Sequence, residues 1–182
     1  EILEIPNFGS AMDRFNPDEA ARVRWTFDGQ EIFKSGVRAM AQASAEAIEK
    51  SGLSKEDVDI FIPHQANIRI VEALEKKLGL PNATTIKKVH RYGNTSAASI
   101  PTAFVDALEE GEIKGGEIAV FTAVGAGLAW GACAVRLGDR VTPINKSDAK
   151  LPDFDGTATD TIKRAIEYQV PDKLDKIWKQ FL

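Results

Sequence analysis

The chain has 182 residues, 43% of them hydrophobic, which is enough for one sizeable core, and no apolar run long enough to cross a bilayer. A net charge of −4 with both signs interspersed excludes the basic surplus of a nucleic-acid binder, so acidic ligands must be met by local basic groups. The single cysteine, Cys133, excludes a disulfide within the chain and suits a reducing compartment, so the cytoplasm is the expected location.

Glu1 is not an initiator, the first methionine is Met12, and nothing nearby combines a basic region with an apolar core, so a fragment or processed chain is expected rather than a signal peptide. Residues 1–27 mix Pro6, Gly9, Asn16 and Pro17 without sustained period and read as a connecting segment. From Glu31 to Lys50, Phe33, Val37, Met40, Ala41, Ala47 and Ile48 recur at helical spacing and Gly52 stands at the C-terminal cap. Ser54 with Asp57 offers a capping turn before the short apolar run Val58 to Ile62, a buried strand halted by Pro63. Asn67 predicts the N-cap of a helix with Val71, Leu74 and Leu78 on one face, closed by Gly79 and Pro81. Thr84 to His90 is β-branched enough for a second strand, and Gly93 allows a tight exit. Thr95 or Ser96 then caps a helix running to Glu110, with Pro101 in its first turns and a kink there. Ile118 to Thr122 and Trp130 to Leu137 flank a glycine-rich turn as paired strands. Val141 to Thr159 reads as a surface connector, and Thr161 to Gln169 and Asp172 to Leu182 as short amphipathic helices. The second carries Leu174, Ile177, Trp178 and Phe181 on one side and must dock on something to be stable.

Two segments place a side chain able to hydrogen-bond an oxyanion where an apolar run gives way to a helix: His64 in Pro63-His64-Gln65-Ala66-Asn67, and Asn94 in Gly93-Asn94-Thr95-Ser96-Ala97-Ala98-Ser99. Strand ends are where α/β proteins hold a polar head rigidly against a crevice. Taken singly, each residue also has a structural reading, His64 as a satisfied core histidine and Asn94 as an N-cap or left-handed turn residue.

Together with Gly29-Gln30-Glu31-Ile32-Phe33-Lys34 upstream and Val124-Gly125-Ala126-Gly127-Leu128-Ala129-Trp130-Gly131 downstream, these motifs resemble, in order, the β-ketoacyl-acyl-carrier-protein synthase III family of thiolase-superfamily condensing enzymes. The resemblance covers roughly Asp28 to Leu137. It implies an α/β fold, the C-terminal lobe of the thiolase-like architecture, a mixed sheet flanked by helices, with a mostly helical C-terminal extension. The expected divisions are 1–27 as a connector to a missing N-terminal lobe, 28–137 as the lobe itself and 138–182 as the extension.

The resemblance also implies roles. His64 and Asn94 would be the catalytic pair that stabilises the enolate formed when malonyl-carrier protein loses carbon dioxide. Ala126 would give its backbone N–H to an oxyanion hole, at a position where the family has glycine. Val124 stands where a bulkier Phe is usual, which puts primer length in question. Gly29, Phe33, Ala66, Asn67 and Ile70 would line the pantetheine tunnel, although turn, core, cap and core readings serve them too. Arg69, Lys34, Lys76 and Lys77 would dock the acidic carrier protein. No metal or bound cofactor is implied, since coenzyme A and phosphopantetheine arrive on the substrates. The implied partners are acyl-coenzyme A, malonyl-acyl-carrier protein, the nucleophile-bearing N-terminal lobe and a second copy in a homodimer. Cys133, in an alternating strand away from every motif, reads as a buried small apolar residue rather than a nucleophile. A reading of another class, a catalytically silent binding or assembly lobe of a two-chain condensing enzyme, is kept open by Ala126 and the absent nucleophile.

Overall fold

Asp28 Oδ1 accepts the Glu31 backbone N–H at 3.0 Å and so caps α1 (Gly29–Lys50), which starts two residues earlier than its apolar periodicity indicates. In this computed structural model the described residues are 3–4, 26–142, 149, 156–157 and 159–163. Two units are distinguished, Glu1–Pro143 and Ile144–Leu182.

Within the first unit, β1 (Leu3–Glu4) pairs antiparallel with β2 (Thr26–Phe27), so the described ends of the connecting segment meet each other. Val37, Met40, Ala41, Ser44 and Ile48 form the buried side of α1. The helix closes as the periodicity predicts: Gly52 N–H donates to Glu49 O and Leu53 N–H to Ile48 O, the paired bonds of a Schellman end. Ser54 N–H donates to Asp57 Oδ2 at 2.7 Å, fixing the expected capping turn before β3 (Ile60–Pro63). Pro63 ends that strand from inside it. Next come α2 (Ile68–Leu78), capped by Asn67, and β4 (Thr84–Thr85). They are followed by α3 (Val89–Tyr92), α4 (Ser99–Glu109) and the hairpin β5 (Ile118–Gly125) and β6 (Ala129–Arg136).

The sheet runs β4-β3-β5-β6, with β3 parallel to both neighbours and β6 antiparallel to β5. Period-two alternation sends Phe61 and Val120 to one face, where Met40, Ile48, Leu74 and Leu78 of α1 and α2 meet them. Ile60, Ile62 and Ala119 point the other way, against Ala103 and Ala107 of α4. The mixed sheet flanked by helices is the α/β class expected. Truncating the fully buried Phe61 to Ala costs about 3–5 kcal/mol, because such a cavity cannot collapse completely.

Three expectations are corrected. The strand forecast for 84–90 stops at Thr85, because the Lys88 N–H is taken by the Gln65 side chain and the backbone turns into α3. Neither Thr95 nor Ser96 caps a helix through its side chain. Ser96–Ala98 is a 3-10 turn leading into α4, and Pro101 falls in the first turn of α4, where its missing N–H costs no helical bond. Cys133 is exposed, not buried: it lies on β6, which among the described residues is the outermost strand of its sheet, and its face is left uncovered there.

In the second unit, residues 159–163 are helical and begin at a reciprocal cap, Thr157 N–H to Asp160 Oδ2 at 2.8 Å and Asp160 N–H to Thr157 Oγ1 at 3.2 Å. The expected helix over Asp172 to Leu182 lies outside the described residues. Among the described residues, no helix is long and apolar enough to cross a membrane.

Candidate active site

β3 aims its carboxyl end at a cleft of about 710 Å3 between the loop before α4 and the β5–β6 hairpin. His64, the first residue after β3, is fixed by its backbone N–H donating to Thr122 O at 2.8 Å, a bond that continues the β3–β5 ladder by one rung. Its half-buried imidazole lines the cleft. Burial disfavours the charged form and lowers the pKa of His64 below its ordinary value, so the ring is neutral near pH 7. His64 Nδ1 lies 2.6 Å from Ser99 Oγ at the start of α4, and Nε2 has no hydrogen-bond partner among the described residues.

Asn94 reaches the same cleft from the strap between α3 and α4. Gly93 turns the chain at φ 67°, ψ −159°, a conformation a side chain would resist. Asn94 Oδ1 then accepts the Ser96 N–H at 2.9 Å, which pins the amide by its oxygen. The Nδ2 donor is without a partner among the described residues. Ser96 is held at φ 55°, the one non-glycine residue with positive φ among those described, a strain that costs on the order of 1 kcal/mol and clusters at functional sites.

A charge cluster fastens that strap. The Tyr92 hydroxyl and Arg91 guanidinium each donate to Asp106 Oδ1 at 2.8 Å, tying α3 to the buried carboxylate on α4. The Lys88 ammonium is bound by Glu110 at 2.6 Å and by Glu112, with Asp106 Oδ2 at 3.8 Å. Burial opposes the charge on Lys88, but the hydrogen bonds to Glu110 and Glu112 outweigh it and hold the pKa above its ordinary value. The Asp106 bond raises the pKa of the Tyr92 hydroxyl.

The third wall is the hairpin tip, with Ala123, Val124, Gly125, Ala126, Ala129, Trp130 and Gly131. Ala126 is not among the residues with positive φ, so the loop admits a side chain there. Gly127 takes the unusual conformation instead, at φ 140°, and a Cβ on it would meet Ala129 N at 2.8 Å. Val124 packs back toward α1, where its Cγ1 lies 3.5 Å from where a Cβ on Gly36 would stand.

The structure therefore brings His64, Asn94, Ala126 and Val124 to one cleft. The other sequence-derived positions lie outside its wall. Gly29 opens α1, Phe33 is exposed on that helix, and Ala66 follows in the loop after His64. Asn67 uses its Oδ1 to cap the Arg69 N–H at 2.9 Å, and Ile70 packs against the α1–α2 core. Lys34, Arg69, Lys76 and Lys77 are all exposed, and none is in an ion pair among the described residues. Sequence reading missed Ser99 and Gln65 as site builders, although both stand inside the quoted motifs. Only their contacts across 34 or 21 residues of chain reveal them.

Residues 48–137 match the family model described as 3-oxoacyl-[acyl-carrier-protein] synthase III C terminal. Over 170 residues the chain is 49% identical to β-ketoacyl-[acyl-carrier-protein] synthase III 2 of Vibrio cholerae, covering 92% of this chain and 46% of that protein. Among solved structures it is similar to 3-oxoacyl-[acyl-carrier-protein] synthase III of Aquifex aeolicus, at 40% identity and TM-score 0.61, over 75% of this chain and 40% of that one. The corresponding Pseudomonas aeruginosa structure is similar at 30% identity and TM-score 0.65, over 79% and 41%. The chain spans a little under half the length of the curated relatives it matches.

Proposed function

The chain belongs to the β-ketoacyl-[acyl-carrier-protein] synthase III family and matches its C-terminal part, and from that membership we propose that it supplies the decarboxylating side of a decarboxylative Claisen condensation in fatty-acid biosynthesis. The substrates are an acyl-coenzyme A primer and malonyl-acyl-carrier protein, and a nucleophilic cysteine in a preceding lobe carries the primer as a thioester. The observation that carries this reading is the convergence of His64 and Asn94 on one cleft, each held by one polar atom, with His64 Nε2 and the Asn94 Nδ2 amide left without a partner among the described residues.

In this mechanism the malonyl thioester carbonyl oxygen sits between His64 Nε2–H and Asn94 Nδ2–H. Loss of carbon dioxide leaves its bonding electrons in the enolate, whose oxygen gains charge as the two donors strengthen. Such a donor contributes about 3 kcal/mol in a preorganised site. The enolate carbon then attacks the acyl thioester carbonyl, the tetrahedral oxyanion takes the Ala126 N–H, and the cysteine thiolate leaves. A neutral imidazole suits this role, since it donates without being consumed as an acid.

Lys34, Arg69, Lys76 and Lys77, exposed and unpaired among the described residues, suit docking of an acidic carrier protein. The chemistry needs no metal or resident cofactor. A cytoplasmic homodimer with the preceding lobe completes the reading. The test joins this chain to a nucleophile-bearing lobe and follows β-ketoacyl product and carbon dioxide from both substrates. Release of the two in equal amounts is expected, whereas binding without carbon dioxide release would favour the silent assembly lobe.

A further inference from the structure

Ser99 Oγ lies between two groups with opposite demands. The Gln65 backbone N–H, 3.3 Å away, can only donate, so it occupies one lone pair of the oxygen. His64 Nδ1, 2.6 Å away, can donate or accept according to its tautomer. The hydroxyl has one proton to place, and Ser99 is buried at 3% exposure on the wall of the cleft. Among the described residues, His64 Nδ1 is the one acceptor within reach of that proton.

If Nδ1 carried a proton, both neighbours would donate to Ser99 Oγ and the hydroxyl proton would be buried without an acceptor, a loss that buried polar groups avoid. With the hydroxyl donating to Nδ1, every group is satisfied: Gln65 N–H to Ser99 Oγ, Ser99 Oγ–H to His64 Nδ1. The ring proton is then on Nε2. We infer that Ser99 is a positioning residue that selects the Nε2–H tautomer of His64 and so turns the ring's donor toward the cleft. The start of α4 thereby sets the hydrogen-bonding sense of a residue at the end of β3.

This inference rests on the proposed role of His64 as an oxyanion donor, but its test does not. The chain contains two histidines, His64 and His90, so proton–nitrogen NMR of the imidazoles, with a His90→Gln variant for assignment, reads the His64 tautomer in the full chain. The expected result is a single Nε2–H tautomer, which Ser99→Ala converts into a mixture and Ser99→Thr, keeping the hydroxyl, preserves. In the enzyme completed by its nucleophile-bearing lobe, Ser99→Ala lowers kcat for malonyl decarboxylation on the order of tenfold with KM unchanged, and Ser99→Thr restores it. A wild-type Nδ1–H tautomer, or an unmoved single tautomer in Ser99→Ala, overturns the inference. Should Ser99→Ala fail to fold, the wild-type and Ser99→Thr spectra still decide. If the tautomer behaves as expected while His64→Ala leaves decarboxylation intact, the proposed function fails and the Ser99 assignment stands.

Discussion

Gln65 Oε1 accepts the Lys88 backbone N–H at 2.9 Å, while the amide of the same side chain donates to Pro63 O at 2.7 Å and Ile86 O at 3.2 Å. One buried side chain thus joins the loop that carries His64 to the segment that leads through α3 to Asn94. Gln65→Leu keeps the volume but orphans Lys88 N–H, Ile86 O and Pro63 O. At about 1 kcal/mol for each lost bond, and more for each buried orphan, a destabilisation of roughly 3 kcal/mol is expected in chemical denaturation. A loss under ~0.5 kcal/mol would show that the tie is dispensable.

The hairpin tip gives a contrast between neighbouring positions. Ala126 has no positive φ, so Ala126→Gly is expected to cost only ~0.5–1 kcal/mol of chain entropy and to leave condensation nearly unchanged. Gly127→Ala puts a Cβ against Ala129 N in a backbone conformation that L side chains rarely adopt, so it should reshape the cleft and depress activity strongly. Similar activity in the two variants would place the strain elsewhere.

His64 makes a pH prediction whose sign follows from burial. Its folded-state pKa is lowered by desolvation, so the unfolded chain takes up the proton first as pH falls. Stability is untouched above the unfolded value of about 6.5, declines as pH drops through it, and levels off below the folded-state value. The stability of wild type relative to His64→Gln should therefore fall between neutral and mildly acidic pH. A difference that is flat, or that rises on acidification, would mean that the ring is solvated.

Arg69 is exposed in the first turn of α2, and its backbone, not its side chain, meets the Asn67 cap. Arg69→Ala should raise KM for malonyl-acyl-carrier protein, most at low ionic strength, and spare acyl-coenzyme A, because rim charges act on encounter over about a 10 Å screening length at 0.1 M salt. Equal effects on both substrates would count against carrier docking.

Much of this fold was legible because single residues punctuate it. Asn67 and Gly79 bound α2 where the spacing put them, and the 3,4 pattern of Val71, Leu74 and Leu78 is its buried face. The sheet hairpin likewise follows from two apolar runs around a glycine-rich turn. The strand after Thr85 was misread because β-branched composition does not reveal that Gln65, 21 residues away, takes up the backbone groups of Ile86 and Lys88. Cys133 was misread because alternation indicates which side chains share a face, and leaves open whether anything covers that face. At the site, His64 and Asn94 stand out as polar residues at element ends. Ser99 does not, since one more serine at a helix start looks like solvent-facing capping until its distance to His64 is known.

The most direct test measures the two half-reactions separately in a protein that joins this chain to a nucleophile-bearing lobe. Acyl-enzyme formation is read by intact mass and carbon dioxide release from malonyl-acyl-carrier protein in parallel, for wild type, His64→Ala and Asn94→Ala. In the proposed mechanism charge builds on the oxygen held by these two donors only in the second step, so each variant should acylate normally and lose about 100-fold or more of decarboxylation. Acylation and decarboxylation falling together, or decarboxylation persisting without either side chain, would contradict the assignment of His64 and Asn94 as the enolate clamp.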